Sequence, residues 1–136
     1  MCGALKMKLE DIVCSLEPSK RLKELGVPQE SLFYWHCDGS PEGCEYLLRG
    51  NETYGRIASA FTSDELGEKL PYRLRLEDDD YWLWQTKLKH GDCEIRYKSC
   101  SDILWEKSIQ GDSEADARAK MLIHLIEQGI VKVEEL

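Results

Sequence analysis

Three histidines, six cysteines and a run of three aspartates are the residues of this chain with the most chemistry to offer. His36 directly precedes Cys37, and a thiol beside an imidazole is the pairing a cysteine nucleophile needs. Neighbours in a strand point to opposite faces, however, so this adjacency works against the pair. His124 falls beside the apolar stripe of a long helix, which reads as a boundary position, and His90 falls in a His90-Gly-Asp92 turn. Cys37 and Cys44 have six residues between them, as do Cys93 and Cys100. Paired zinc ligands usually sit two to four residues apart, so that a tight turn aims both sulfurs at one ion. The expectation is therefore no metal and six reduced thiols, several buried as small hydrophobes. Asp78, Asp79 and Asp80 could hold a divalent cation, but no further oxygen ligands stand at a recognisable spacing, and a solvated hairpin turn explains them better. The chain has no phosphate-cradling glycine pattern, no Gly-x-Ser-x-Gly and no His-Glu-x-x-His. No acid–base or nucleophile set can be assembled, so neither an enzyme nor a cofactor is expected.

The large aromatics are the remaining signal. Trp35, Trp82, Trp84 and Trp105, together with Tyr34, Tyr54, Tyr81 and Tyr97, exceed what one side of a small sheet needs to cover a helix. Trp82 and Trp84 alternate with Tyr81 and Leu83, which places both indoles on one face of a strand. Arg73 and Arg75 fall in the strand before it. Indoles beside guanidinium groups suit a nucleotide base and its phosphate, and Arg73, Arg75, Trp82 and Trp84 are the candidate ligand-binding residues. The competing reading is that the N-terminal helix or another subunit covers this face.

These residues need elements to position them. Ser113–Gly129 reads as a long helix. Ser113 is its N-cap, and Glu114 and Asp116 in the first turn favour the dipole. Ala115, Ala119, Leu122, Ile123 and Ile126 form its inward stripe, and Gly129 closes a Schellman end with Ile130 folded back on Leu125. A shorter helix runs from Leu16, with Pro18 in its first turn, Leu22 and Leu25 inward, and Gly26-Val27-Pro28 as the stop. Thr62 and Glu65 make a capping box, and Phe61 and Leu66 a hydrophobic staple, for a third helix ending at Pro71. Ser31–His36 reads as a strand. Tyr46–Arg49 and Thr53–Ile57 flank Gly50-Asn51 as a hairpin. From Tyr72 the hydrophobic period is two, with turns at 77–80 and 90–92, and Ile103–Ile109 adds a further strand before Gly111-Asp112.

The 136 residues predict one domain, 1–136, long enough to bury a core. The N-terminus has no apolar segment and cleavage site of the secretory kind, and no apolar run approaches a membrane span, so a cytoplasmic location and no membrane partner are expected. A formal net charge of −8 argues against long nucleic acid, whose binding draws on Lys and Arg displacing counterions. It leaves room for a small nucleotide-like ligand, a host protein met through an acidic surface, or a homo-oligomer.

Leu22-Lys-Glu-Leu-Gly-Val27, Ser31-Leu-Phe-Tyr-Trp35, Ser59-Ala-Phe-Thr62 with Glu65-Leu-Gly67, and Glu114-Ala-Asp-Ala-Arg-Ala-Lys-Met-Leu-Ile123 resemble a group of small uncharacterised prophage and phage proteins. The resemblance covers most of the chain, although Pro18 and the Cys37–Cys44 loop have no counterpart in it. It implies an accessory protein in the cytoplasm of a bacterial host, of a kind that works by binding: trapping a nucleotide-like signal of antiphage defence, or inhibiting a host protein. The expected fold is α+β, an antiparallel sheet of about five strands with the long C-terminal helix on one face and two short helices.

Overall fold

A computed structural model describes residues 9–37, 46–49 and 56–136. The chain is α+β, as its periodicities predict, with antiparallel strands and the C-terminal helix packed on them. Helix α1 (Leu16–Glu24) leads into β1 (Tyr34–Cys37), β2 (Tyr46–Arg49) and β3 (Arg56–Ser59). Helix α2 (Ser63–Lys69) is followed by β4 (Arg73–Leu76), β5 (Asp79–Lys87), β6 (Cys93–Lys98) and β7 (Leu104–Gly111), and α3 (Glu114–Glu127) completes the series. The described strands form two antiparallel sheets, one ordered β2-β1-β3 and the other β4-β5-β6-β7.

The helix ends follow from local sequence. The Ser113 hydroxyl accepts the Asp116 N–H at 3.1 Å. At the other end of α3 the Ile130 N–H reaches the Leu125 carbonyl at 2.9 Å while Gly129 adopts φ +75°, the left-handed turn a Schellman end requires. Helix α1 closes the same way, Val27 N–H to Leu22 carbonyl at 3.1 Å with Gly26 at φ +94°. Both halves of the Thr62–Glu65 capping box are formed, and Phe61 and Leu66 are fully buried.

Alternation is regular through β4 and β6, and a register shift interrupts the pairing of β6 with β7. Leu74, Cys93, Ile95 and Tyr97 are buried on the face under α3, together with Ala115, Ala119, Met121, Leu122 and Leu125 of the helix. The stripe is broader than the expected one and turned relative to it: Met121 and Leu125 are sealed, whereas Ile123 and Ile126 are half-buried. The reason is that α3 is covered twice, by β6 and β7 on one side and by α1 and α2 on the other. Gly111 lets β7 meet this helix, since a Cβ there would lie 2.4 Å from the Ala117 nitrogen. Asp116, also buried, accepts the Ser15 N–H at 2.6 Å and ties the start of α1 to α3.

Two expectations are corrected. Tyr46–Arg49 and the strand after it do not pair with each other, because β1 lies between β2 and β3 and pairs antiparallel with both. The uniform set of reduced thiols also fails. Cys37 is disulfide-bonded, to a partner outside the described residues, while Cys14, Cys93 and Cys100 are free. Gly50, Asn51 and Tyr54 lie outside the described residues. Among those described, no helix is long and apolar enough to cross a membrane.

Candidate functional site

The β4–β5 hairpin positions the four expected ligand-binding residues. Glu77 and Asp78, both with positive φ, make a two-residue turn that sets Arg73 opposite Trp82 and Arg75 opposite Asp80. Period-two alternation then sends Arg73, Arg75, Trp82 and Trp84 to the side away from α3. The structure brings all four together on one open face. Trp82 is 37% exposed and Trp84 50% exposed, so neither indole is sealed in the core. Helix α1 packs on α3 and β3 and leaves this face uncovered.

Strand β6 adds two cations that the expected set lacks. Lys98 is the cross-strand partner of Trp82, and Arg96 that of Trp84. The Lys98 ammonium lies 4.3 Å from the centre of the Trp84 ring, and the Arg73 guanidinium 5.6 Å from that of Trp82, both within cation–π range. Tyr72 stacks on Trp82 at 6.4 Å between ring centres. The row Arg73–Trp82–Lys98–Leu104 thus crosses all four strands, with Trp84–Arg96 as a second row beside it. The polar side of β6, Glu94-Arg96-Lys98 alternating with Cys93-Ile95-Tyr97, was the available signal for these cations, because β6 follows β5 through a short turn.

Carboxylates border the cations. Asp80 bridges Arg73 at 2.9 Å and Arg75 at 3.3 Å, Glu94 meets Arg96 at 3.5 Å, and the exposed Asp102 meets Lys98 at 3.3 Å. Asp80 is therefore engaged by two arginines. The Arg96 Nε donor is shielded from solvent and makes no hydrogen bond among the described residues. A shielded donor without an acceptor is costly, and an anion placed there would satisfy it.

A second cluster lies at the N-terminus of α3, beside a cleft of about 500 Å³ lined in part by Ser63, Lys87, Cys93, Asp112 and Glu114. Ser63 donates to the Glu114 carboxylate, as does the Gln85 amide at 2.8 Å. Arg118 lies 3.5 Å from the same carboxylate and donates to Gln85 Oε1 at 2.9 Å and to the Ser63 carbonyl at 2.7 Å. The Ser63 hydroxyl bond, with help from the Arg118 charge and Gln85, holds the Glu114 carboxyl below the usual carboxylate range despite partial burial. Both carboxylate oxygens are engaged, so Glu114 pins α2, β5 and α3 together and is a poor proton acceptor for chemistry. This network has no local signature, since its members come from three separate stretches of sequence and Glu114 alone reads as a dipole residue.

Among the described residues the thiols and histidines do not converge. Burial pushes the Cys14 thiol up to about 11 and, with the Glu114 charge, raises that of Cys93 as well, so neither is a thiolate nucleophile at neutral pH. Cys93 is sealed under α3, whereas Cys100 is exposed at the turn after β6. His36 is buried in β1, and the alternating burial of that strand sends Cys37 to its other face. His124 rests against Trp105 with 5.3 Å between ring centres. Among the described residues no group of His, Cys, Asp or Glu could hold a metal ion.

Compared with protein-family models, with curated proteins and with solved structures, the chain matches none.

Proposed function

We propose that this protein acts by non-covalent binding and takes a nucleotide-like anion on the outer face of the β4–β7 sheet. Its setting would be that of a phage or prophage accessory protein, in the cytoplasm of a bacterial host, sequestering a nucleotide signal of antiphage defence. The observation that carries the binding reading is where, among the described residues, the large exposed apolar side chains gather. Of Leu32, Tyr72, Trp82, Trp84, Ile103 and Leu104, all but Leu32 lie on this sheet or at its ends. Indoles left in water on one face, interleaved with four cations, mark an interaction surface. The cations stand out further because the chain as a whole carries −8. Stacking supplies affinity in this reading, and the guanidinium and ammonium groups supply preference for phosphate.

A calorimetric and thermal-shift screen of cyclic and linear adenosine nucleotides tests the reading. Ligands should raise the melting temperature of the wild type and lose that effect in Trp84→Ala. If no nucleotide shifts the wild type, the reading fails. The face would then serve a protein partner with acidic side chains, and a pull-down from host lysate with and without Trp84→Ala would identify it. The bond at Cys37 bears on the setting, since such bonds persist chiefly in oxidising compartments. The thiol count of protein trapped with alkylating reagent inside cells tests the cytoplasmic placement, which predicts Cys37 reduced there and oxidised after purification in air.

A further inference from the structure

We infer that the ligand of the sheet face is a base–phosphate–base unit, two unpaired bases joined by a phosphodiester, and not a mononucleotide. The inference rests on the binding reading above.

Trp82 and Trp84 sit two residues apart on one strand, hence about 6.6–6.8 Å from each other along it. Successive nucleotides of a stacked strand rise only about 3.4 Å. Two neighbouring bases that each lie on one of these indoles cannot also lie on each other. The platform therefore fits splayed single-strand bases, one per ring.

Lys98 occupies the place where the linkage between two such bases would pass. Its backbone pairs across from Trp82, and its ammonium reaches to 4.3 Å from the ring centre of Trp84, between the positions of the two indoles on the strand. Its own counter-ion is Asp102, which is 84% exposed and readily displaced. Arg96, across from Trp84, brings the Nε donor that lacks an acceptor. Arg73 and Arg75 are more firmly held, both by Asp80.

The charges also limit the footprint at one end. Along this face of β5, Asp80 precedes the two tryptophans, and Thr86, facing Glu94 on β6, follows them. Cations occupy the two central rows, Arg75 shares the row of Asp80, and Glu94 closes the other end. A strand longer than two nucleotides would carry a further phosphate towards Glu94 on that side.

The test compares the linear dinucleotide pApA with AMP on the intact protein, by calorimetry and by quenching of tryptophan fluorescence. The expected result is that pApA binds at least about tenfold more tightly than AMP, the gain from a second stacked base. Lys98→Gln should remove most of that advantage, weakening pApA by a clearly larger factor than AMP. Equal affinity for AMP and pApA overturns the two-base inference and leaves the binding reading standing. Binding of neither by protein with a normal melting transition overturns both. An unchanged pApA preference in folded Lys98→Gln overturns the placement of the linkage at Lys98. Should Lys98→Gln fail to fold, the comparison of the two ligands on the wild type still decides the inference.

Discussion

The two faces of the β4–β7 sheet are made by the same strands and have opposite fates. On the inner face Leu74, Ile95, Tyr97 and Cys93 are removed from water by α3, and the one phenol among them donates to the Pro71 carbonyl at 2.6 Å. On the outer face Trp82 and Trp84 offer more apolar area than any of those residues, yet stay half in water beside Arg73, Arg75, Arg96 and Lys98. A chain selected for stability alone would bury its indoles, because burying a large apolar side chain gains roughly 1.5–3 kcal/mol. The inner face accordingly holds the fold, and the outer face is free to vary in what it touches. Substitutions should therefore separate the two faces by readout, stability for one and ligand for the other.

The largest effect is expected on the helix that closes the inner face. Leu122 is fully buried in the cluster that includes Leu74, Ile95 and Tyr97. Leu122→Asp would place a carboxylate there without a partner, at a cost of several kcal/mol, comparable to the whole stability of an ordinary domain. Circular dichroism should show an unfolded or insoluble variant. A soluble Leu122→Asp protein with the wild-type melting temperature would mean that α3 does not close this face.

A smaller effect is expected from acid. Glu114 has its pKa lowered on folding, from an ordinary value of 4.5, chiefly by the Ser63 hydroxyl. A depressed carboxyl contributes stability that is fully present above its unfolded value and is lost as pH falls through the folded one. Wild-type stability should therefore decline as pH drops below about 4.5, and Glu114→Gln should be less stable than wild type at neutral pH, with the gap closing in acid. A gap that does not narrow would show that the Glu114 charge is not what joins α2 to α3.

The cysteines report the same division by reactivity. Cys93 and Cys14 are sealed in the core, whereas Cys100 is exposed. In native protein a thiol reagent should modify Cys100 promptly and reach Cys14 and Cys93 only on unfolding. The bond at Cys37 silences two sulfurs, so denatured, unreduced protein should show no more than four of the six thiols and reduced protein all six. Six thiols without reductant would remove the bond.

How much of this was legible follows the range of each interaction. The Thr62–Glu65 box, the Gly26 and Gly129 helix ends and the Ser113 cap are decided within a few residues, and each forms as its local sequence dictates. The alternation through β4, β5 and β6 was equally plain, and with it the shared face of Trp82, Trp84, Arg73 and Arg75. What was not legible depends on distant partners. Strand β1 sits between β2 and β3, a placement that no turn signal at Gly50-Asn51 encodes. The rotation of α3 that buries Met121 and Leu125 comes from α1 and α2 packing on its second side. Nor do the bond at Cys37 and the Ser63–Gln85–Glu114–Arg118 network have a local pattern, since each joins residues that only the fold brings together.

The smallest stability effect is expected on the outer face, and it bears most directly on function. Trp84 is half exposed, and the Lys98 ammonium lies over its ring. An exposed cation–π pair contributes about 0.5–1 kcal/mol, and truncating a half-exposed side chain on a sheet leaves no closed cavity to destabilise the core. Trp84→Ala should therefore lower stability by about 1 kcal/mol or less, a shift in melting temperature of only a few degrees for a domain of this size. Relief from exposed apolar area could even improve its solubility. The contrast with Leu122→Asp is the point of the measurement. A face kept for binding tolerates truncation in the folding assay and loses its ligand, whereas a face kept for packing fails in both. If Trp84→Ala proves as damaging as a core substitution, costing about 3 kcal/mol or more in chemical denaturation, then Trp84 supports the fold. The outer face would then have to be read as structure, and its cations as the polar rim of a packed sheet.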